Sequence, residues 1–153
     1  MTNISSNTPM EKTYLSPTQT SGRDFIMRKI SGNVVMLNLL RFRKIADYST
    51  IPNLAPEVPI SGAEAYRLYV KHTLPFLKAS GGDIVFLGKG GHYLIGPENE
   101  YWDMVMLVRQ QSVQSFLAFE SNEEYMLGIG HRTAALEDSR LLPMEEEDFM
   151  DWS

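Results

Sequence analysis

The order of strand-like and helix-like stretches in this chain predicts an α+β sandwich, a four-stranded antiparallel sheet with helices on one face. Three observations carry that reading. Apolar runs of strand length stand at residues 33–40, 83–87 and 102–108, with a shorter one at 139–142. Two stretches with helical spacing, each containing a capping box, separate the first run from the second and the third from the fourth. Gly96-Pro97-Glu98-Asn99 supplies a turn between the second and third runs, so these pair as an antiparallel hairpin.

Taken in order, residues 1–22 are rich in Ser, Thr, Asn and Pro and read as a flexible amino-terminal arm. A packing helix is expected over 23–30, where Phe25, Ile26 and Ile30 recur at helical spacing before Ser31-Gly32. The first strand follows, and then residues 41–59 with three prolines, a long connection suited to a lid or an edge cover. Ser61-Gly62-Ala63-Glu64 opens the main helix, with Ala65, Leu68, Tyr69, His72, Phe76 and Ala79 on its apolar face, a kink expected at Pro75 and a stop at Gly81-Gly82. The second strand meets Gly88-Lys89-Gly90-Gly91, a candidate bulge or bend, and resumes at 92–95. After the third strand, Ser112 and Ser121-Asn122-Glu123-Glu124 start the two parts of a broken helix, and the last strand ends at Pro143. The order β-α-β-β-α-β is ferredoxin-like. The domain spans 23–143, and 144–153 form an acidic tail containing Glu145-Glu146-Glu147-Asp148.

A chain of 153 residues holds one ordinary core. No apolar run approaches the roughly 20 residues of a membrane span, and residues 1–7 lack the basic start and apolar stretch of a secretion signal, so cytoplasmic residence is expected. The absence of cysteine removes disulfides, thiolate catalysis and Cys-based metal sites. A net charge of -5 speaks against nucleic-acid binding, and the single basic run, Arg41-Phe42-Arg43-Lys44, reads as a solvated loop after the first strand.

Both faces of the sheet are apolar. Val35, Leu37 and Leu39 oppose Val34, Met36 and Leu40 on the first strand, with Asn38 the polar exception; on the third, Trp102, Met104, Met106 and Val108 oppose Val105 and Leu107. Two helices cover one face only. The other presents roughly 400 Å² in plan, and burying it is worth on the order of 10 kcal/mol per subunit before association costs. A two-fold homodimer through that face is expected.

The runs Val34-Val35-Met36-Leu37-Asn38-Leu39-Leu40-Arg41-Phe42, Ser61-Gly62-Ala63-Glu64-Ala65-Tyr66, Gly96-Pro97 with Trp102-Asp103, and residues 132–141 resemble a bacterial family of uncharacterised function in the dimeric α+β barrel superfamily. The similarity extends from about residue 23 to 143. It implies a ferredoxin-like chain that pairs into an α+β barrel. That superfamily includes cofactor-independent monooxygenases, isomerases and haem-handling enzymes, and the family brings no catalytic set to carry over.

Candidate site residues therefore rest on side-chain chemistry. His72, His92 and His131 lack zinc-site spacing, and there is no H-E-x-x-H or G-x-S-x-G, so no metal or cofactor is expected. His72, beside Tyr69, is either a satisfied core histidine or a general base; His131, next to Arg132, is either a surface or capping group or a ligand contact. The glycines of 88–91 and 128–130 read as backbone devices, and Met36, Met104 and Met106 as packing. Asn38, Asp103 and Arg109 are polar groups on apolar strands. One reading gathers Asn38, Tyr69, His72, Trp102 and Arg109 around a cavity between sheet and helices, with His72 and Asn38 as catalytic groups and Tyr69, Trp102, Arg109 and His131 holding a ligand. The other pairs Asp103 with Arg109 in the sheet or across a dimer, with Arg140 as a further partner. The expected function is a homodimer that binds a small, partly aromatic molecule. A cofactor-independent oxygenase or isomerase and a ligand-free interaction protein are the alternatives.

Overall fold

The computed structural model describes residues 12–153; residues 1–11 of the expected arm lie outside them. Tyr14 and Leu15 run beside the last strand, where the Ser139 hydroxyl donates to the Tyr14 carbonyl and Arg132 Nη1 donates to that of Leu15 at 2.8 Å. Helix α1 (Gln19–Met27) starts earlier than its apolar spacing suggests. Thr18 and Ser21 cap it reciprocally, and a serine returning the bond makes a less visible signature than glutamate does.

Strand β1 (Val34–Phe42) leads through a loop with a short 3-10 turn (Pro52–Leu54) to α2 (Gly62–Ala79). Ser61 and Glu64 form the expected capping box, and the helix continues through Pro75. Its buried face is Ala65, Tyr66, Tyr69, Thr73 and Leu77, while Leu68 is exposed. The face is turned from the expected one because α2 packs on the sheet and on the carboxyl-terminal helices together.

Strands β2 (Asp83–His92) and β3 (Tyr101–Gln110) form the hairpin. β2 runs unbroken across Gly88-Lys89-Gly90-Gly91, and its register shift lies earlier, between Ile84 and Phe86. The broken helix is α3 (Val113–Glu120), α4 (Glu123–Met126) and α5 (Ile129–Ala135), capped by Ser112 and Asn122. It feeds β4 (Leu136–Glu145) directly. Pro143 sits inside β4 opposite Met36, an edge position that tolerates its missing N–H.

The sheet is antiparallel with order β2-β3-β1-β4, and the fold is ferredoxin-like. It is not a barrel, which corrects the expected closed architecture. Closure needs the outermost strands to pair, and here β2 and β4 are separated by both β3 and β1. The helices lie on one face. Leu40, Met104, Met106 and Val108 meet α2, and Val34 and Met36 meet Phe25, Val113 and Phe116. No helix among the described residues is long and apolar enough to cross a membrane.

The residue 43–61 loop is packed against this body. Arg43 N donates to Ala135 O at 2.8 Å, Asp47 N to Ala134 O at 2.9 Å and Gly62 N to Arg43 O at 3.0 Å, while Tyr48 is buried. Gly62 allows this approach, since a Cβ there would press on the Arg43 carbonyl and lie 2.6 Å from the Ala135 oxygen. Gly62→Ala is therefore expected to cost about 1–3 kcal/mol by overpacking. Chemical denaturation of the variant beside the parent measures it.

Candidate functional site

A cleft of about 290 Å³ opens between α2 and the β2–β3 hairpin. Its walls are apolar: Phe42 from β1, Tyr66 and Val70 from α2, Ile84 and Leu87 from β2, and Met104 and Met106 from β3. Residues three to four apart on α2 share this side, and alternate residues on the strands face it. Arg67 and Lys71 are its charged groups. Among the described residues the lining holds no carboxylate and no imidazole, and burial raises the pKa of the Tyr66 phenol, so that group stays neutral. Such a lining suits binding of an apolar body rather than proton transfer to it.

The candidate site residues are spread over several places. Asn38 is buried on the helix side of β1, where its amide donates to the carbonyls of Met36 at 3.2 Å and Met106 at 3.4 Å. Tyr69 is buried between Tyr66 and Tyr125, with 2.8 Å between the Tyr69 and Tyr125 hydroxyl oxygens. His72 lies on the flank of α2 toward α4 and donates from Nε2 to the Glu124 carbonyl at 2.8 Å. Gly128 sits against its ring, where a Cβ would collide with it. His131 Nδ1 is 2.7 Å from the Tyr48 hydroxyl. Arg109 pairs with Glu146 at 2.9 Å at the other end of the sheet. Asp103 accepts from the Phe42 N–H at 2.8 Å, so Asp103 and Arg109 have separate partners. None of Asn38, Tyr69, His72, Trp102, Arg109 and His131 lines the cleft.

Behind α2, burial lowers the pKa of His131 first and the neighbouring His72 lowers it further, while burial raises that of Tyr48. Both shifts favour a neutral pair in which the phenol donates to Nδ1. Burial also raises the carboxyl pKa of Glu120, against the lowering effects of Arg132 and Tyr125. This polar patch fastens α2, α4, α5 and the loop to one another.

Trp102 belongs to a second polar cluster that pattern reading missed. Its Nε1 donates to the Tyr93 hydroxyl at 2.7 Å and to Glu100 at 3.1 Å, and the Arg41 and Arg140 guanidinium carbons lie 5.5 and 4.9 Å from its ring centre. Asp138, at 0% exposure, is the buried carboxylate of the cluster. It receives Arg140 Nη1, Tyr14 N and Ser139 N at 2.8 Å each and Arg41 Nη2 at 3.4 Å. Arg41 is 3% exposed, which corrects its assignment to a solvated loop. The available signal was parity: Arg41 continues the face of Leu37 and Leu39, and Asp138 and Arg140 alternate at the start of β4.

Two outcomes are expected. Asp138→Ala leaves a buried guanidinium without this carboxylate and should cost about 3–5 kcal/mol in denaturant unfolding. His131 binds its proton less readily folded than unfolded, so the unfolded chain takes up more protons as the pH falls through about 6.5 and this contribution to stability is lost below that value. His131→Gln should weaken the dependence, as read from denaturation midpoints at about pH 7.5 and 5.5.

No family model and no curated protein matches the chain. Among solved structures, the RPA0582 protein of Rhodopseudomonas palustris, a protein of unknown function, is 32% identical with a TM-score of 0.78, over 90% of this chain and 99% of that chain. Its methylated form gives 32% and 0.78 over 89% and 96%. A dimeric protein of unknown function and ferredoxin-like fold from Bacteroides fragilis is 11% identical with a TM-score of 0.45, over 76% of this chain and 99% of that chain. The identity and near-complete coverage of the first structure carry the assignment: the chain belongs to the same family as the RPA0582 protein, a ferredoxin-like family of unknown molecular function.

Proposed function

We propose that this chain is a homodimeric small-molecule-binding protein, in which two copies meet through the uncovered sheet face and each holds one small organic ligand in the cleft between α2 and the hairpin. The cleft lining carries the ligand half of this reading. It combines apolar walls with two cations, and the imidazoles of His72 and His131 and the amide of Asn38 are engaged elsewhere. That arrangement favours binding over a cofactor-independent oxygenase or isomerase, for which an imidazole or carboxylate at the ligand would serve as the base.

The dimer half rests on the face opposite the helices. Leu37 and Leu39 of β1 pair with Leu107 and Val105 of β3, and Leu37 also pairs with Leu142 of β4. None of these belongs to the helix-side clusters. Phe86 and Leu142 on that face are 53% and 52% exposed. A sheet with one solvated face ordinarily places polar residues there, so this surface suits a matching apolar one.

Sedimentation tests the assembly. The parent is expected at about 35 kDa, twice the 17.4 kDa chain, and Leu107→Lys at the single-chain mass with its circular dichroism retained. A parent sedimenting at 17.4 kDa overturns the dimer. Thermal shifts against a panel of small acids, alcohols and aromatics test the cleft, since a ligand at 100 times its Kd stabilises by about 2.7 kcal/mol. Val70→Trp, which fills the cleft, should abolish the response. A panel without effect, or a response unchanged in that variant, removes the binding reading.

A further inference from the structure

We infer that the ligand of this cleft is a small amphipathic carboxylate, its apolar body between α2 and the hairpin and its anionic head at Arg67 and Lys71. This deepens the binding reading above and rests on it. At about 290 Å³ the cleft stands at the small end of ligand pockets, which suits a short apolar body rather than a long acyl chain.

The charges single out the head group. Arg67 and Lys71 are one turn apart on α2, both are exposed, and neither makes an ion pair or hydrogen bond among the described residues. Glu64, the nearest acid on the helix, is engaged with Ser61 in the capping box at 3.0 Å. Like charges four residues apart on a helix repel and are slightly unfavourable. Here they stand together in a protein of net charge -5, at a cleft whose other lining groups among the described residues are uncharged. Lys89, opposite Met104 on the cleft side of the hairpin, adds a third positive charge. An anion bound at the mouth relieves this repulsion, and a guanidinium fork matches a carboxylate with two parallel hydrogen bonds. Among the described residues the lining has no acidic group to repel such a head.

The test titrates methyl-labelled methionine protein with octanoate and with 1-octanol, reading the Met104 and Met106 methyl signals inside the cleft. Octanoate is expected to move both signals saturably, with a Kd about tenfold or more below that of octanol and rising with salt. Arg67→Met combined with Lys71→Met should bring octanoate to the octanol level and leave octanol unchanged, with the methyl spectrum showing that the variant is folded. Equal binding of octanoate and octanol by the parent overturns the charge inference and leaves the binding reading standing. Silence of both methyls toward both probes overturns the carboxylate inference, and the thermal-shift panel decides the binding reading separately. The same silence, with Met104 and Met106 signals that move in a Leu94→Ser, Ile95→Ser hairpin variant, assigns the cleft to a second copy's exposed hairpin tip and equally overturns the proposal.

Discussion

Strand β1 has hydrogen-bonded neighbours on both edges, β3 and β4, and apolar side chains on both faces. A strand in that position has no free edge, and toward the helices it has nowhere to place a polar side chain without a partner; the rest of the architecture answers that constraint. Leu40, Met36 and Val34 are covered by helices, which accounts for α2, α1 and the broken helix lying on the same face. Leu37 and Leu39 look the other way, toward the face that the helices leave uncovered. Asn38, the polar residue at the centre of the strand, is accommodated by donating to two strand carbonyls.

Where β1 ends, the same requirement is met with charge. Arg41 keeps the parity of Leu37 and Leu39, and its burial demands an anion. Asp138 meets this from the first turn-free residues of β4, and Arg140 and two backbone N–H groups satisfy its remaining acceptor capacity. The Tyr14 N–H is one of those donors, so the cluster also ties the chain before α1 to the edge of the sheet. A buried charge network thus joins three segments distant in sequence, and its indole neighbour Trp102 belongs to this structural role.

The two flanks of α2 divide the chemistry. Toward α4 and α5 lie tyrosines and imidazoles, closely hydrogen-bonded to loop and helix groups, and the half-buried Glu120. Toward the hairpin lies an apolar cleft with two cations at hand. The imidazoles and the glutamic acid are thus on the packed side and open space is on the other. That separation is why the proposed role is recognition of a ligand rather than its conversion.

Local chemistry was enough to read the element order from the sequence: the Ser61–Glu64 capping box, the Gly96-Pro97 turn and the aliphatic run of β1 each act within a few residues. The two-sided greasiness of the strands was legible for the same reason, since side-chain direction alternates along any strand. Whether the sheet closes could not be read in this way, because it depends on which strands become neighbours, and the order β2-β3-β1-β4 leaves two open edges. The candidate site was also beyond reach. Tyr69 and His72 share a helix with Arg67 and Lys71, yet the rotation of α2 against both sheet and α5 sends the first two into packing and the last two to the cleft. Periodicity determines that a helix has faces; only the surfaces it packs against decide what each face meets.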